Sequence, residues 1–373
     1  MAETIISAGH ICLDITPVFP ANAQRQALGD ILCPGRLIHM EGADIHTGGS
    51  VANTGLALKL LGNEVRLLGK IGCDAFGSVV KTVMASYGAG GMIEDPHSAT
   101  SYSVVLAVPR YDRIFLHDPG ANDSFCLTDI PDEALEGAKL FHFGYPPLMK
   151  KMYEEDGKEL VALFRRVKER GIVTSLDFAA IDPNSPAGQA DWKNILCAVL
   201  PFVDFFVPSF EELCWMLDRE RYDRLNCGGD ITEGLDLQAE AMPLAEKLIA
   251  MGCRAVLIKC GTSGMVYRTA DRESISQVCA RLGADPDAWS GKSGIQPCFR
   301  ADCVRSGTGA GDVSIAAFLT AVLRGYGPAD CTALAAAEGA CCVTAYDALG
   351  GIRPIEELME RIRAGWPLLN QEG

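Results

Sequence analysis

Gly307-Thr308-Gly309-Ala310-Gly311-Asp312 opens onto the apolar run Val313-Ser314-Ile315-Ala316-Ala317-Phe318-Leu319, which continues to Leu323. The pattern predicts a strand over 298–304, a tight glycine turn over 307–311 and a helix over 313–323. Small residues in such a turn let the backbone approach a ligand closely, and the helix behind it aims unpaired N–H groups and its positive dipole end at whatever lies there. An anion is the expected occupant. Asp312 stands at the same helix start, where a carboxylate is electrostatically favoured and can take a proton from a bound hydroxyl. An anion hole beside a carboxylate base is what phosphoryl transfer to an alcohol requires, since that reaction is mostly positioning and charge stabilisation. Taken alone, the same residues also read as a glycine turn with Asp312 as a helix cap. A dinucleotide-binding G-x-G-x-x-G fits worse, because Asp312 stands where its last glycine belongs and the run comes late in the chain.

Working outward, strands are predicted over 5–13, 65–71, 140–143, 172–176, 203–207 and 255–259. Helical segments separate them at 51–61, up to about 170, from 211 and over 237–251, and two more helices over 329–345 and 354–363 finish the chain. This alternation implies parallel β-α-β units and an α/β fold with a sheet covered on both faces. Between 101 and 117 two β-rich runs, SYSVVLAV and RIFLH, flank Tyr111-Asp112 and predict a hairpin. The polar stretch 271–297 reads as a surface insertion. With 373 residues, the chain exceeds the roughly 150 residues of a typical domain.

The balance of 33 Lys+Arg against 48 Asp+Glu gives a net charge of −15, which argues against nucleic acid and anionic membranes as partners. The 15 cysteines are odd in number and scattered, so reduced thiols in a cytoplasm are expected. Met1-Ala2-Glu3-Thr4 starts without a basic leader region, and no apolar run reaches the ~18 residues of a membrane span. A soluble, unexported protein is the expectation.

Two further features point to hydroxyl recognition. Gly48-Gly49-Ser50-Val51-Ala52-Asn53 puts two glycines before a helix with Ser50 as the expected N-cap, and the Asn53 amide both donates and accepts hydrogen bonds. Asp14 ends the first predicted strand, where ligands of open α/β sheets bind. Each also reads blandly, as a helix entry and as a turn before Pro17. Ser290-Gly291-Lys292-Ser293 ends like a phosphate loop, but Pro286 occupies the required glycine position, so it reads as a solvated loop.

In order along the chain, several segments resemble the ribokinase-like (PfkB) family of sugar and nucleoside kinases. They are Gly48-Gly49 through Asn53 to Gly62, Lys70 to Gly77, Gly120-Ala121-Asn122, Leu176-Asp177, Val207-Pro208 with Glu211-Glu212, Lys259 to Gly264, and Thr308 to Asp312. The resemblance covers nearly the whole chain. It implies a Rossmann-type three-layer sandwich with a small β-sheet lid, the body comprising 1–14, 47–98 and 118–373 and the lid 15–46 and 99–117. By resemblance, Asp312 is the base, and the backbone of Gly309, Ala310 and Gly311 stabilises the transferred phosphoryl group. Asp14, Gly48, Gly49 and Asn53 hold the acceptor. Ser209, Glu212, Gly261, Gly264 and Thr308 face the nucleotide, with Glu212 placing magnesium through water. ATP and Mg2+ are the implied cofactors, and a homodimer through the lid is the implied assembly. Arg113, on the second lid run, is placed to reach an anionic substrate or ATP.

Two departures stand out. Ser209 occupies the family's usual asparagine position, and Ser306-Gly307 replaces an Asp-Thr pair that helps hold K+ in some members, so K+ use is left open. The reading is therefore an ATP-dependent kinase acting on a hydroxyl, taken as a primary alcohol, of a small sugar or polyol. The alternatives are a nucleoside kinase of the same family and a sugar-binding regulator with weak catalysis.

Overall fold

Thr4–Gly9 is buried along its whole length: parallel neighbours flank it, Glu64–Leu68 on one side and Ala138–Gly144 on the other, and apolar core layers cover both faces of the sheet. The computed structural model describes residues 4–20, 28–109, 111, 113–226 and 228–369. Parallel pairing continues from Ala138–Gly144 through Val173–Asp177 and Phe205–Phe206 to Ala255–Lys259, after which Met265–Thr269 and Ser293–Gln296 close the edge antiparallel. The period-2 alternation of strand side chains sorts the core into two layers. Ile5, Leu140, Val173 and Phe205 face the helices Arg272–Leu282, Ala310–Leu323, Pro328–Cys342 and Ile355–Arg363. Ile6, Phe141, Phe143 and Phe206 face Lys158–Glu169, Trp192–Val199, Phe210–Leu217 and Met242–Ala250. The result is the expected three-layer α/β sandwich.

A second sheet of four strands has the order Ala43–Gly48, Cys12–Pro17, Tyr102–Leu106, Ile114–Asp118. The last two form the antiparallel hairpin expected between 101 and 117. Of the expected lid and body stretches, residues 1–3, 21–27, 110, 112, 227 and 370–373 lie outside the described residues.

Several expectations are corrected. The single strand over 5–13 is two strands in different sheets, split where Gly9 adopts φ 125° against the backbone of Gly144, a conformation that favours glycine. Asp14 therefore belongs to the small sheet. The strand over 65–71 likewise divides, and Lys70–Gly72 pairs with Ile93–Asp95. The helix up to 170 is interrupted at Glu155 and Asp156, both at positive φ. Residues 271–297 are no surface insertion: Ile275, Val278, Cys279, Leu282 and Trp289 are buried in the core and Ser293–Gln296 is a sheet strand. An amphipathic helix shows polar residues to solvent at every turn, so polarity alone misled. The stretch 298–304 keeps only a bridge from Phe299 to Leu368. Gly49 caps the helix Ser50–Leu60, while the Ser50 hydroxyl meets His142 Nε2 at 3.4 Å.

Glu338, fully buried in the helix Pro328–Cys342, accepts the Arg353 N–H at 3.0 Å with Oε1, and its Oε2 has no partner among the described residues. Burial, only partly opposed by Arg353, pushes its carboxyl from the ordinary 4.5 up to about 8. The folded state thus keeps a proton that the unfolded chain releases, so this stabilisation is complete below the unfolded pKa and is lost as pH rises through about 8. Glu338→Gln is expected to remove that loss. Urea unfolding at about pH 5 and about pH 9 should show a shallower decline in the variant, by on the order of a few kcal/mol.

Candidate active site

Gly309 is left-handed, at φ 75° with Ala348 packed against its Cα, and it starts the helix Ala310–Leu323. Asp312 is therefore a first-turn residue of that helix, and it is only 5% exposed. Its carboxylate accepts the Tyr145 hydroxyl at 2.7 and 2.8 Å, the Thr54 hydroxyl at 3.0 Å and the Asn53 amide at 3.1 Å. Asn53 and Thr54 come from the helix that Gly49 begins, so the two glycine-led helices meet at one carboxylate. Tyr145 follows the strand Ala138–Gly144 in a left-handed conformation, φ 69°. Burial, then the neighbouring Asp312 and Asp177 carboxylates, hold its phenol well above the ordinary range. It is a neutral donor that orients Asp312.

Asp177 and Lys259 end the strands Val173–Asp177 and Ala255–Lys259, which lie on either side of Phe205–Phe206, and the Lys259 ammonium donates to Asp177 at 2.8 Å. Burial alone would lower Lys259, but Asp177, Glu212 and Asp312 outweigh it and hold the ammonium above its ordinary pKa. Its Nζ lies against Gly311, 3.7 Å from where a Cβ would stand. A fixed positive charge thus sits beside the glycine turn in a chain of net charge −15.

Ser209 and Glu212 form a reciprocal capping box: the Ser209 N–H donates to Glu212 Oε2 at 2.8 Å, and Ser209 Oγ accepts the Glu212 N–H at 3.3 Å. The serine at the family's asparagine position is here a helix cap, bridged to the Lys259 strand. Gly261 and Gly264 have φ 51° and 117°, and a Cβ on either would collide with Thr232 or with the Gln296 carbonyl. The turn itself therefore demands both glycines. Thr308 accepts a hydrogen bond from Arg113, which brings the small-sheet hairpin onto the glycine turn.

Asp14 accepts the Cys12 thiol at 3.3 Å, and its carboxylate packs against the Cα of Gly48, where no Cβ would fit. Burial pushes this carboxyl upward, partly offset by hydrogen bonds from Cys12 and Ser103. Gly49, at φ 85°, packs on His10, whose Nδ1 and carbonyl oxygen would lie within 2.6 Å of a Cβ. Asp14 thus touches Gly48 just ahead of the helix Ser50–Leu60, and Asn53 of that helix reaches Asp312. A separate cavity of about 250 Å³ between Ala190–Lys193 and Trp215–Arg219 shares none of these residues.

Tyr145, Thr54, Lys259 as a charge, and His10 were not singled out from the sequence. A usable signal existed for two of them: Tyr145 and Lys259 lie at carboxyl ends of parallel strands, where ligands of open α/β sheets bind. Among the described residues no group of three or more His, Cys, Asp or Glu side chains is arranged to hold a metal.

The description "pfkB family carbohydrate kinase" matches residues 21–353. The chain belongs to this family. Fructokinase-2 of Oryza sativa subsp. japonica is 25% identical over 237 residues, spanning 62% of this chain and 66% of the relative. Fructokinase-2 of Zea mays is 22% identical over 324 residues, spanning 86% and 80%. In fold, the chain is similar to the Arabidopsis thaliana ribokinase solved with ribose and ATP, with TM-score 0.69, 19% identity and coverage of 96% and 98%. It is equally similar to the Xylella fastidiosa fructokinase solved with ATP, with TM-score 0.70, 19% identity and coverage of 98% and 99%. This pfkB-family protein is accordingly an ATP-dependent sugar kinase with the ribokinase fold. No helix among its described residues is long and apolar enough to cross a membrane.

Proposed function

We propose that this kinase phosphorylates a hydroxyl, expected to be a primary alcohol, on a small neutral sugar or polyol, with Asp312 as the base. The observation that carries the reading is the Asp312 carboxylate, held by Tyr145, Thr54 and Asn53 at the start of a glycine-led helix. Asp312 takes the proton as the acceptor oxygen attacks. The backbone of Gly309, Ala310 and Gly311, reinforced by the Lys259 ammonium, stabilises negative charge at the turn. Asp14, Gly48, Gly49 and Asn53 hold the acceptor. Ser209, Glu212, Gly261, Gly264 and Thr308 flank the nucleotide. ATP bound with magnesium supplies the phosphoryl group, and Glu212 would hold the metal through water.

The small sheet acts as a lid, with Arg113 bringing it to Thr308 and excluding water from the transferred group. Its outer strands expose Ile45, Ile114, Phe115 and Leu116, an apolar surface suited to pairing with a second copy. A dimer in sedimentation experiments, disrupted by Phe115→Lys, tests that assembly. The described cysteines are all free, as suits a reducing compartment.

The deciding assay is ADP release by purified protein with ATP and magnesium against a panel of sugars, polyols and nucleosides, with K+ added or withheld. One or a few sugar or polyol acceptors should stimulate ADP formation. Ligand-induced stabilisation without ADP formation across the panel would instead mark a sugar-binding regulator.

A further inference from the structure

His10 lies where the chain passes from the main sheet into the small one, between the strands Thr4–Gly9 and Cys12–Pro17. It is 1% exposed, and neither ring nitrogen has a hydrogen-bond partner among the described residues. His117, on the small-sheet strand Ile114–Asp118, faces it with ring centroids 5.1 Å apart. His117 Nδ1 meets Ser103 Oγ at 3.0 Å, while its Nε2 is likewise without a partner. Three buried, unmatched ring nitrogens therefore lie at one junction. A buried polar group left unmatched is destabilising, and native proteins rarely concentrate such groups without a use for them.

The junction is continuous with the candidate active site. The Tyr145 ring lies 6.0 Å from His10, and its hydroxyl is on Asp312. Gly49 packs on His10 and leads the helix that carries Asn53. Burial, and for His10 also the facing His117, lowers both imidazoles below their ordinary pKa, so each is neutral and offers one N–H donor and one acceptor nitrogen. That pairing matches a hydroxyl, which donates and accepts in turn. It offers no charge to a phosphate or carboxylate on the acceptor.

We infer that His10 is an acceptor-recognition residue, hydrogen-bonding a hydroxyl of a neutral polyol that enters between it and His117 when the small sheet lifts from the body. The inference rests on the proposed acceptor side of the active site and adds to it a specificity-determining residue. The rings are too close for an acceptor to lie between them as the sheet stands, so entry requires the strand bearing His117 to move.

Binding and transfer are tested separately. Thermal shifts are recorded with D-fructose, D-ribose and myo-inositol on wild type, Asp312→Asn, His10→Phe and His10→Asn, with ATP as a folding control for each. At least one polyol is expected to raise the melting temperature of wild type and Asp312→Asn. The shift should be lost in His10→Phe and partly kept in His10→Asn, which retains a donor and an acceptor. In turnover, His10→Phe should raise the acceptor KM roughly tenfold or more, the size of one lost buried hydrogen bond, with the ATP KM unchanged. An undiminished shift and unchanged KM in His10→Phe overturn the role of His10. A panel that shifts no form of the protein overturns the assignment to neutral polyols. A polyol shift that depends on His10, in a wild type that releases no ADP, upholds the inference and removes the phosphoryl-transfer reading instead.

Discussion

Asp312→Asn is expected to lower kcat by roughly 10²-fold or more while leaving the fold intact, as losses of a general base commonly do. The substitution is nearly isosteric, and the asparagine carbonyl still accepts from Tyr145 or Thr54, which both reach Asp312 in the native protein. What it removes is the site that receives the proton of the attacking hydroxyl. Acceptor-stimulated ADP release should collapse, while the urea midpoint and the sugar-induced thermal shift stay close to wild type. Asp312→Ala is expected to behave differently, because it also strips the acceptor from the buried Tyr145 and Thr54 hydroxyls and so lowers stability as well as rate. An Asp312→Asn enzyme that turns over as fast as wild type would end the assignment of Asp312 as the base.

Lys259→Met is expected to destabilise the protein by about 3–5 kcal/mol, the usual range when one partner of a buried ion pair is removed. Asp177 is 1% exposed, and its carboxylate receives the Lys259 ammonium at 2.8 Å, so the variant leaves a carboxylate in the interior with its counter-charge gone. The double variant Lys259→Met/Asp177→Asn should recover a large part of that loss, since it buries a neutral amide in place of an orphaned charge. Turnover should not recover with it, because the ammonium beside Gly311 is absent from both variants. A double-mutant cycle on unfolding free energy, run alongside kcat, checks both statements. Recovery of stability and rate together would make Lys259 purely structural.

The candidate site is legible in the sequence where it is built from short, contiguous segments. Gly307 to Asp312 needs only a turn before a helix, and Gly48 to Asn53 needs only a glycine-led helix start, so both were found from residue type and spacing. Tyr145 sits before Pro146-Pro147 in a stretch that looks like an ordinary loop, and its role appears only when its hydroxyl reaches Asp312, 167 positions away. Lys259 reads as the last residue of a strand until Asp177, 82 positions earlier, is seen beside it. His10 carries no sequence signal at all. What marks it is the lack of a partner for its buried nitrogens, a property of its surroundings.

The same division holds for the fold. The alternation of apolar runs and helix-length segments, together with the order of the glycine motifs, was enough to establish a parallel α/β sandwich and a carboxylate at a glycine-led helix start, because those depend on local periodicity and turn chemistry. Folding in three dimensions settled where the first strand breaks, at Gly9 against Gly144. It also turned the polar stretch 271–297 into a core helix and an edge strand, and gathered Thr54, Tyr145 and Asn53 onto Asp312 across as many as 259 positions. Strand register and side-chain contact are set by which surfaces bury one another, and that information is distributed over the whole chain rather than written in any one segment of it.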